Sequence, residues 1–263
     1  MTQQAPLTAT PIRKRSWLTK LRQRNVLPGF GLSMGITVLS LSLLVILPFA
    51  MMAYTTTQMG WTGFIEAISQ PQVKAAIVLS LKMSFYAMLT NMIFGTLVAW
   101  VLVRYEFFGK SLINALVDLP FALPTAVTGI SLATLYAPNG LIGQFFDKIG
   151  IQVAFTPIGI WLALVVVSFP FIVRAVQPVL EELSVEYEEA AAVLGASRLT
   201  TFRTVILPEL FPALLMGAGM MFARATGEYG SVIFIAGNIP MQSEILPLII
   251  ISKLEQFDIQ GAS

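Results

Sequence analysis

Three ionisable residues, Asp118, Arg224 and Glu228, sit in otherwise apolar sequence. An arginine near the centre of a membrane span costs about 2.5–3.5 kcal/mol on insertion scales, so a residue carried there needs a partner or a task. Arg224 and Glu228 are four residues apart, which puts them one turn apart on one face of a helix, where they can pair. Two readings follow. Either the pair only neutralises itself, or Arg224 helps to pass an anion through a bundle or forms with Glu228 a gate that breaks as the molecule switches. Asp118 stands just before Pro120 and Pro124, each of which removes a backbone donor and disfavours helix at the residue before it. A broken helix at membrane depth is tolerated where it lines a cavity, and a half-helix starting near Thr125 offers free N–H groups to an oxyanion. Thr125, Thr128 and Gly129 add hydroxyls and close backbone approach in the same turn; an ordinary proline kink is the other reading. Lys82, near the outer end of its span, reads as a snorkelling side chain.

Other chemistries are excluded by residue type. The chain has neither Cys nor His, so zinc sites built on those ligands, thiol catalysis, disulfides and histidine proton relays are all closed to it. Asp118 and Glu228 fall on different spans, with no metal-ligand cluster beside them to make a membrane enzyme. Gly109-Lys110-Ser111 imitates the end of a phosphate loop, but the position of the required first glycine is Arg104 and no strand precedes it. The energy for any transport reaction therefore comes from another chain or from an ion gradient.

The elements that must hold these residues follow from composition. Apolar residues make up 56% of the 263 and charged residues 11%, against about 45–50% and about 25% in soluble domains. Uncharged runs at Asn25–Ile65, Met83–Val103, Leu119–Phe146 and Ile149–Val173 each reach the roughly 20 residues that cross a bilayer. The expected fold is all-α: a polytopic integral membrane helical bundle with spans at Gly29–Ala53, Ala75–Val103, Leu112–Tyr136, Pro157–Val176 and Pro212–Ile235. Gly29–Ala53 is longer than the 7–15 residues of a signal-peptide core and no A-x-A-like site closes it, so it reads as a retained span. Residues 1–24 carry Arg13, Lys14, Arg15, Lys20, Arg22 and Arg24 and no acid. They read as a cytoplasmic tail, with an organelle transit peptide as the rival. The expected domains are this tail, 1–24, and a permease-like membrane domain, 25–263, with a cytoplasmic loop at 177–209. With the N-terminus inside, Arg104 and Lys110 and the loop residues Arg198 and Arg203 fall inside, as the orientation rule wants, and Trp61, Trp161 and Trp100 fall at interfaces. Five spans leave Ser263 outside, with Asn238–Ser263 as an external helix or re-entrant piece.

The long inner loop has a pattern of its own. Ser184 can cap a helix that has Glu186 and Glu188 in its first turn, Gly195 can take the left-handed conformation that ends it, and a second helix can start at Ser197. Leu199, Phe202, Val205 and Ile206 recur at helical spacing beside Arg198 and Arg203. Such a helix–glycine–helix device serves for docking on a soluble partner or for lying against its own bundle.

Glu189-Ala190-Ala191, then Gly195, then Val205-Ile206-Leu207-Pro208 resembles the EAA loop of ABC importer permeases, with Val205 where that family prefers Ile. The stretches 118–129, 176–183, 227–230 and 234–240 resemble the sulfate/thiosulfate permeases of the T (or U) type, over nearly the whole chain from Val26. Molybdate and tungstate permeases and the W-type partner are similar too. The resemblance implies that Glu189, Ala190, Ala191, Gly195, Arg198, Leu207 and Pro208 couple to a partner ATPase. It also implies a W-type second permease subunit, two ATPase subunits that carry ATP and Mg, an external sulfate-binding protein and a bacterial inner membrane. No cofactor on this chain and no nucleic acid are expected. Family members have a sixth span after the segment matching Gln256–Ser263, so truncation of the sequence is expected. A gradient-driven anion transporter is the rival from another class, and the Glu189–Pro208 loop speaks against it.

Overall fold

The computed structural model describes residues 30–263, and the expectations for the basic tail lie outside them. All regular structure among these residues is helical. The chain divides into two compact units, Met1–Gln58 and Met59–Ser263. The described part of the first belongs to helix α1, Phe30–Ser69, which is apolar, takes a π-turn at Ser42–Ile46, departs from helical dihedrals at Gly60 and has none of its residues buried.

The second unit is built on three long helices, α2 (Pro71–Arg104), α6 (Pro157–Glu182) and α8 (Arg198–Thr226). Small residues explain their intimacy. Ala76, Ser80, Ser84, Ala87, Asn91, Gly95 and Ala99 run down the buried face of α2 at three- and four-residue intervals, and in lipid such stripes let backbones approach and pack. A Cβ added at Gly95 would lie 2.9 Å from Ile172 Cγ2, and one at Gly217 of α8 would lie 2.8 Å from Ala175 Cβ. Asn91, fully buried, donates Nδ2 to the Val165 carbonyl at 2.9 Å, a turn before Pro170 interrupts α6. The contacts Asn91–Val165, Gly95–Ile172 and Arg104–Leu183 advance together, so α2 and α6 are parallel. Trp100 meets Phe202 edge to face, so α8 starts where α2 ends and returns antiparallel.

Between α2 and α6 the chain forms α3 (Lys110–Ala122), α4 (Thr125–Tyr136) and the short α5 (Gly143–Lys148). α3 and α4 together are apolar enough for one span but meet at 110°. The expected third span is therefore broken. The break falls at Leu123–Pro124, which take extended dihedrals, whereas Pro120 lies inside α3. Four helices are long and apolar enough to cross a membrane, and the bent pair makes a fifth candidate.

Three expected boundaries move. The fourth span continues through Pro178 to Glu182 rather than ending at Val176, because Gln177, Glu181 and Glu182 keep the helical ladder although they are polar. Residues 177–182 thus belong to a helix rather than to the loop. The fifth span is α8, not Pro212–Ile235. A π-turn at Phe202–Ile206 comes just before Pro208, where the ladder must already give up a donor, and the helix passes through Pro212 to end at Gly227. The residues after it form a separate turn, α9 (Val232–Ile235), packed on α4 and α6. Beyond, α10 (Leu246–Glu255) lies on the first turns of α2, where Ser80 Oγ accepts from the Leu246 amide at 2.9 Å, and α11 (Ile259–Ala262) follows.

Candidate functional site

Two of the sequence-marked groups come together and a third goes elsewhere. Arg224 lies in the last turn of α8 rather than at its centre, since the helix ends at Thr226 and not at Ile235. Glu228 lies past the helix end. The ion pair forms all the same, between Arg224 Nη1 and Glu228 Oε2. Glu228 is 2% exposed, and its other oxygen accepts from the Ser231 amide at 2.9 Å and from Ser231 Oγ at 3.0 Å. A buried carboxylate so satisfied is held in place by charge-assisted hydrogen bonds. Arg224 is less committed. Among the described residues only its Nη1 has a hydrogen-bond partner, and its side chain is 37% exposed.

The turn that carries Glu228 packs on the start of α4. A Cβ on Gly230 would overlap Thr125 Oγ1 and stand 3.6 Å from the Ala126 amide nitrogen, and one on Gly129 would overlap the Ser231 carbonyl. Only glycine permits this approach. Pro124 supplies no side-chain cap to α4, so the first amides of the half-helix are the orphan donors of any helix start. Of these the Ala126 amide lies beside the Gly230 backbone. Thr128 Oγ1 is buried nearby along α4 without a protein partner. The stretches 118–129 and 227–231 thus meet at Thr125, Gly129, Gly230 and Ser231.

Asp118 is not part of that group. Its carboxylate takes a bidentate pair from Arg174 of α6, Nε to Oδ1 at 2.8 Å and Nη2 to Oδ2 at 2.5 Å. Arg174 also donates to the Asn114 side chain and carbonyl, both at 3.0 Å, and to Gln177 Oε1 at 2.6 Å. A guanidinium has five N–H donors, and all are engaged. Sequence reasoning gave Arg174 no role, although the expected fourth span, Pro157–Val176, already contained it two residues from its end. The usable signal was Asp118, an acid within a span that needs a cation on a neighbouring helix.

The inner loop forms as its residues dictate. Helix α7 (Glu186–Val193) starts with Ser184 Oγ accepting from the Glu186 amide at 3.2 Å. It ends at Gly195, with φ 82°, where the Ala196 amide reaches the Ala191 carbonyl and the Gly195 amide the Ala192 carbonyl, both at 3.0 Å. Those paired bonds are a Schellman cap. Ser197 then accepts from the Thr200 amide at 3.2 Å. The helix it starts is no separate short helix but the first turns of α8. Arg104, from the end of α2, donates to the Leu183 carbonyl at 2.9 Å, forms an ion pair with Glu188 at 2.9 Å and lies 5.7 Å from the Trp100 ring, so α7 is tied to the bundle at one edge. Its opposite side is open: Tyr187, Val193, Leu194 and Leu199 are each more than half exposed. Glu189, Ala190 and Arg198 are exposed as well, while Ala191 and Leu207 are half-buried.

Gly109 takes φ 86° as the residue before α3, and Lys110 pairs with Glu106 at 2.6 Å, so the phosphate-loop lookalike is a helix start. Lys82 lies over the ring of Tyr86 at 5.8 Å.

The family described as binding-protein-dependent transport system inner membrane component matches residues 91–257. The sulfate transport system permease protein CysT of Salmonella typhimurium is 50% identical over 240 residues, covering 91% of this chain and 87% of that protein. Its namesake from Escherichia coli is 49% identical with the same coverage, and the probable sulfate permease of Nephroselmis olivacea is 46% identical over 92% of this chain and 85% of its own. Among solved structures, a bacterial ABC transporter involved in the import of the acidic polysaccharide alginate aligns with TM-score 0.71 at 17% identity, over 93% of this chain and 91% of that one. A bacterial alginate ABC transporter in complex with its pentasaccharide-bound periplasmic protein gives 0.73 at 15%, over 94% and 90%. At those identities the likeness is one of fold.

Proposed function

The chain belongs to the family of binding-protein-dependent transport system inner membrane components, and on that premise we propose that it is the membrane-spanning permease subunit of an ATP-driven importer of sulfate or thiosulfate. The observation that carries the substrate is the identity of about half of all residues to sulfate permeases over nine-tenths of the chain. In this reading the chain lies in a bacterial inner membrane with its N-terminus in the cytoplasm, residues 1–24 as a basic tail and 25–263 as the permease domain. It is paired with a W-type permease subunit and surrounded by lipid. An external sulfate-binding protein delivers the anion, and two ATPase subunits that bind ATP and Mg supply the energy. This chain binds no cofactor and catalyses no hydrolysis.

The loop geometry supports the coupling half of the proposal. Glu189, Ala190, Ala191 and Gly195 present a short helix with a rigid cap, and Tyr187, Val193 and Leu194 give it exposed apolar area. A loop lying on its own bundle would cover such residues; a partner groove removes them from water at about 25 cal/mol per Å². Arg198, Leu207 and Pro208 carry the motion into α8, the helix that ends at Arg224.

On the pathway side, donors decide between the two arginines. Arg174 has none left to give, whereas Arg224 retains four of its five. Arg224 is therefore assigned to meet the dianion, with Glu228 as its resting partner. Thr125 and Thr128, at the start of α4 behind the Pro124 break, are reached once the Glu228–Ser231 turn moves. Pro120 and Asp118 belong to the arm that carries that break. The test is uptake of labelled sulfate by the reconstituted complex with binding protein and ATP. Uptake that persists without the ATPase subunits would return the gradient-driven transporter, and ATP-dependent uptake of molybdate but not sulfate would reassign the substrate.

A further inference from the structure

We propose that Arg174 is a positioning residue for transport: its guanidinium clamps α3 against α6, and the clamp must open and re-form in each cycle. The inference rests on the transport reading above but uses residues that reading leaves without a role. Three observations carry it.

First, α3 is loosely bedded. It packs chiefly on α6, and clefts separate it from α2 on both sides. One of about 550 Å³ is lined by Leu102 and Val103 of α2, Ser111 and Asn114 of α3, and Gln177 and Glu181 of α6. Another of about 330 Å³ lies between Val98, Leu116 and Val165. The α2–α6 contact, by contrast, has no room for a methyl group at Gly95. Second, α3 has a hinge at each end, the left-handed Gly109 and the extended pair Leu123–Pro124. Third, the polar tie across the α3–α6 contact is the Arg174 fan, four hydrogen bonds from one guanidinium to Asp118 and Asn114 of α3, with the fifth donor held by Gln177 of its own helix. The apolar tie is the edge-to-face pair Phe121–Phe171 at 5.1 Å.

A loosely packed rod between two hinges, held by one saturated fork, has a discrete bound state and an alternative in which the fork lets go. The side chains of Arg174 and Asp118 are 31% and 49% exposed, so water or headgroups can take over their bonds when they part. Release of α3 frees the segment that aims the start of α4 at Gly230. Arg174 thereby sets when the half-helix is presented, without touching the anion itself.

The absence of native Cys makes the test direct. Ser111→Cys with Glu181→Cys places one thiol on each side of the larger cleft and leaves the four Arg174 bonds to α3 intact, while Gln177 loses its own bond to Glu181. Bridging them with a cleavable bis-thiol reagent in the reconstituted complex should stop sulfate uptake, and cleavage should restore it. Bridging yield should also differ between the nucleotide-free and the vanadate-trapped complex. Arg174→Lys, which keeps the charge but loses the fork, should lower uptake about tenfold or more and raise the ATP hydrolysed per anion imported; the exchange Arg174→Asp with Asp118→Arg should recover part of both. Uptake unchanged by the bridge, or equal yields in both nucleotide states, overturns the proposal even if Arg174→Lys fails to assemble. Wild-type coupling in an assembled Arg174→Lys complex overturns it too. If the unmodified complex imports no sulfate, the substrate assignment fails by itself, and the bridging yields still decide the clamp.

Discussion

The Arg224–Glu228 pair poses one question at the scale of single residues, whether its charges matter by being paired or by where they stand. Exchanging them, Arg224→Glu with Glu228→Arg, keeps a pair but moves the cation from the last turn of α8 to the turn beyond its end. It also puts an arginine where Ser231 now donates twice to a carboxylate. A dianion about 4 Å from the new carboxylate meets repulsion of roughly 8 kcal/mol at an effective dielectric of about 20. The exchanged protein should therefore assemble in amounts that immunoblotting of membranes can follow, yet take up no labelled sulfate. Arg224→Gln should also be severely impaired. Full uptake by the exchanged protein would make the pair structural. The pair was readable from its four-residue spacing. The Asp118–Arg174 pair was not, because its members are 56 residues apart and no local period joins them.

At the scale of elements, the loop tests its own cap. Gly195 has φ 82° and open space around the position of a Cβ, so a side chain there costs its dihedral alone, about 1–2 kcal/mol and more for a β-branched one. Gly195→Val should leave the bundle inserted but abolish sulfate-stimulated ATP hydrolysis in the reconstituted complex; normal stimulation would remove the loop from the coupling path. Caps and breaks were the most legible features here. Ser184, Gly195, Ser197 and Pro124 act where the sequence puts them, because each fixes backbone geometry within a few residues. The C-terminal end of α6 and both ends of α8 were misread for a physical reason. Hydropathy reports where lipid contact stops, whereas the hydrogen-bond ladder carries on through Gln177–Glu182 and through Pro208 and Pro212 as long as neighbours or a π-turn absorb the missing donors.

For the whole molecule, composition alone decided the class, since a chain with 11% charge cannot clothe itself in water. Orientation follows from charge and is open to measurement. Lys148→Cys, after α5, should react with an impermeant maleimide added to intact cells, and Glu189→Cys, on α7, only after the cells are opened. The reverse pattern would invert the topology and place the loop beyond reach of any ATPase. What the sequence could not disclose is which helices form the rigid frame and which the moving arm. That difference shows in the lack of room for a methyl group at the Gly95 and Gly217 contacts and in the clefts beside α3.

The contact between Gly230 and Thr125 has an electrical side as well. A membrane that supports a standing voltage cannot tolerate a hole the size of a hydrated sulfate ion, even briefly and at low copy number. The Gly230 backbone lies so close to the start of α4 that a methyl group there would overlap Thr125 Oγ1, which leaves that contact no width for a file of water. Gly230→Ala wedges the contact apart, and strain from such overpacking is of the order of 1–3 kcal/mol. In planar bilayers without ATP or binding protein, the wild-type complex should be silent and the Gly230→Ala complex should pass anion current. A silent variant would put the seal elsewhere.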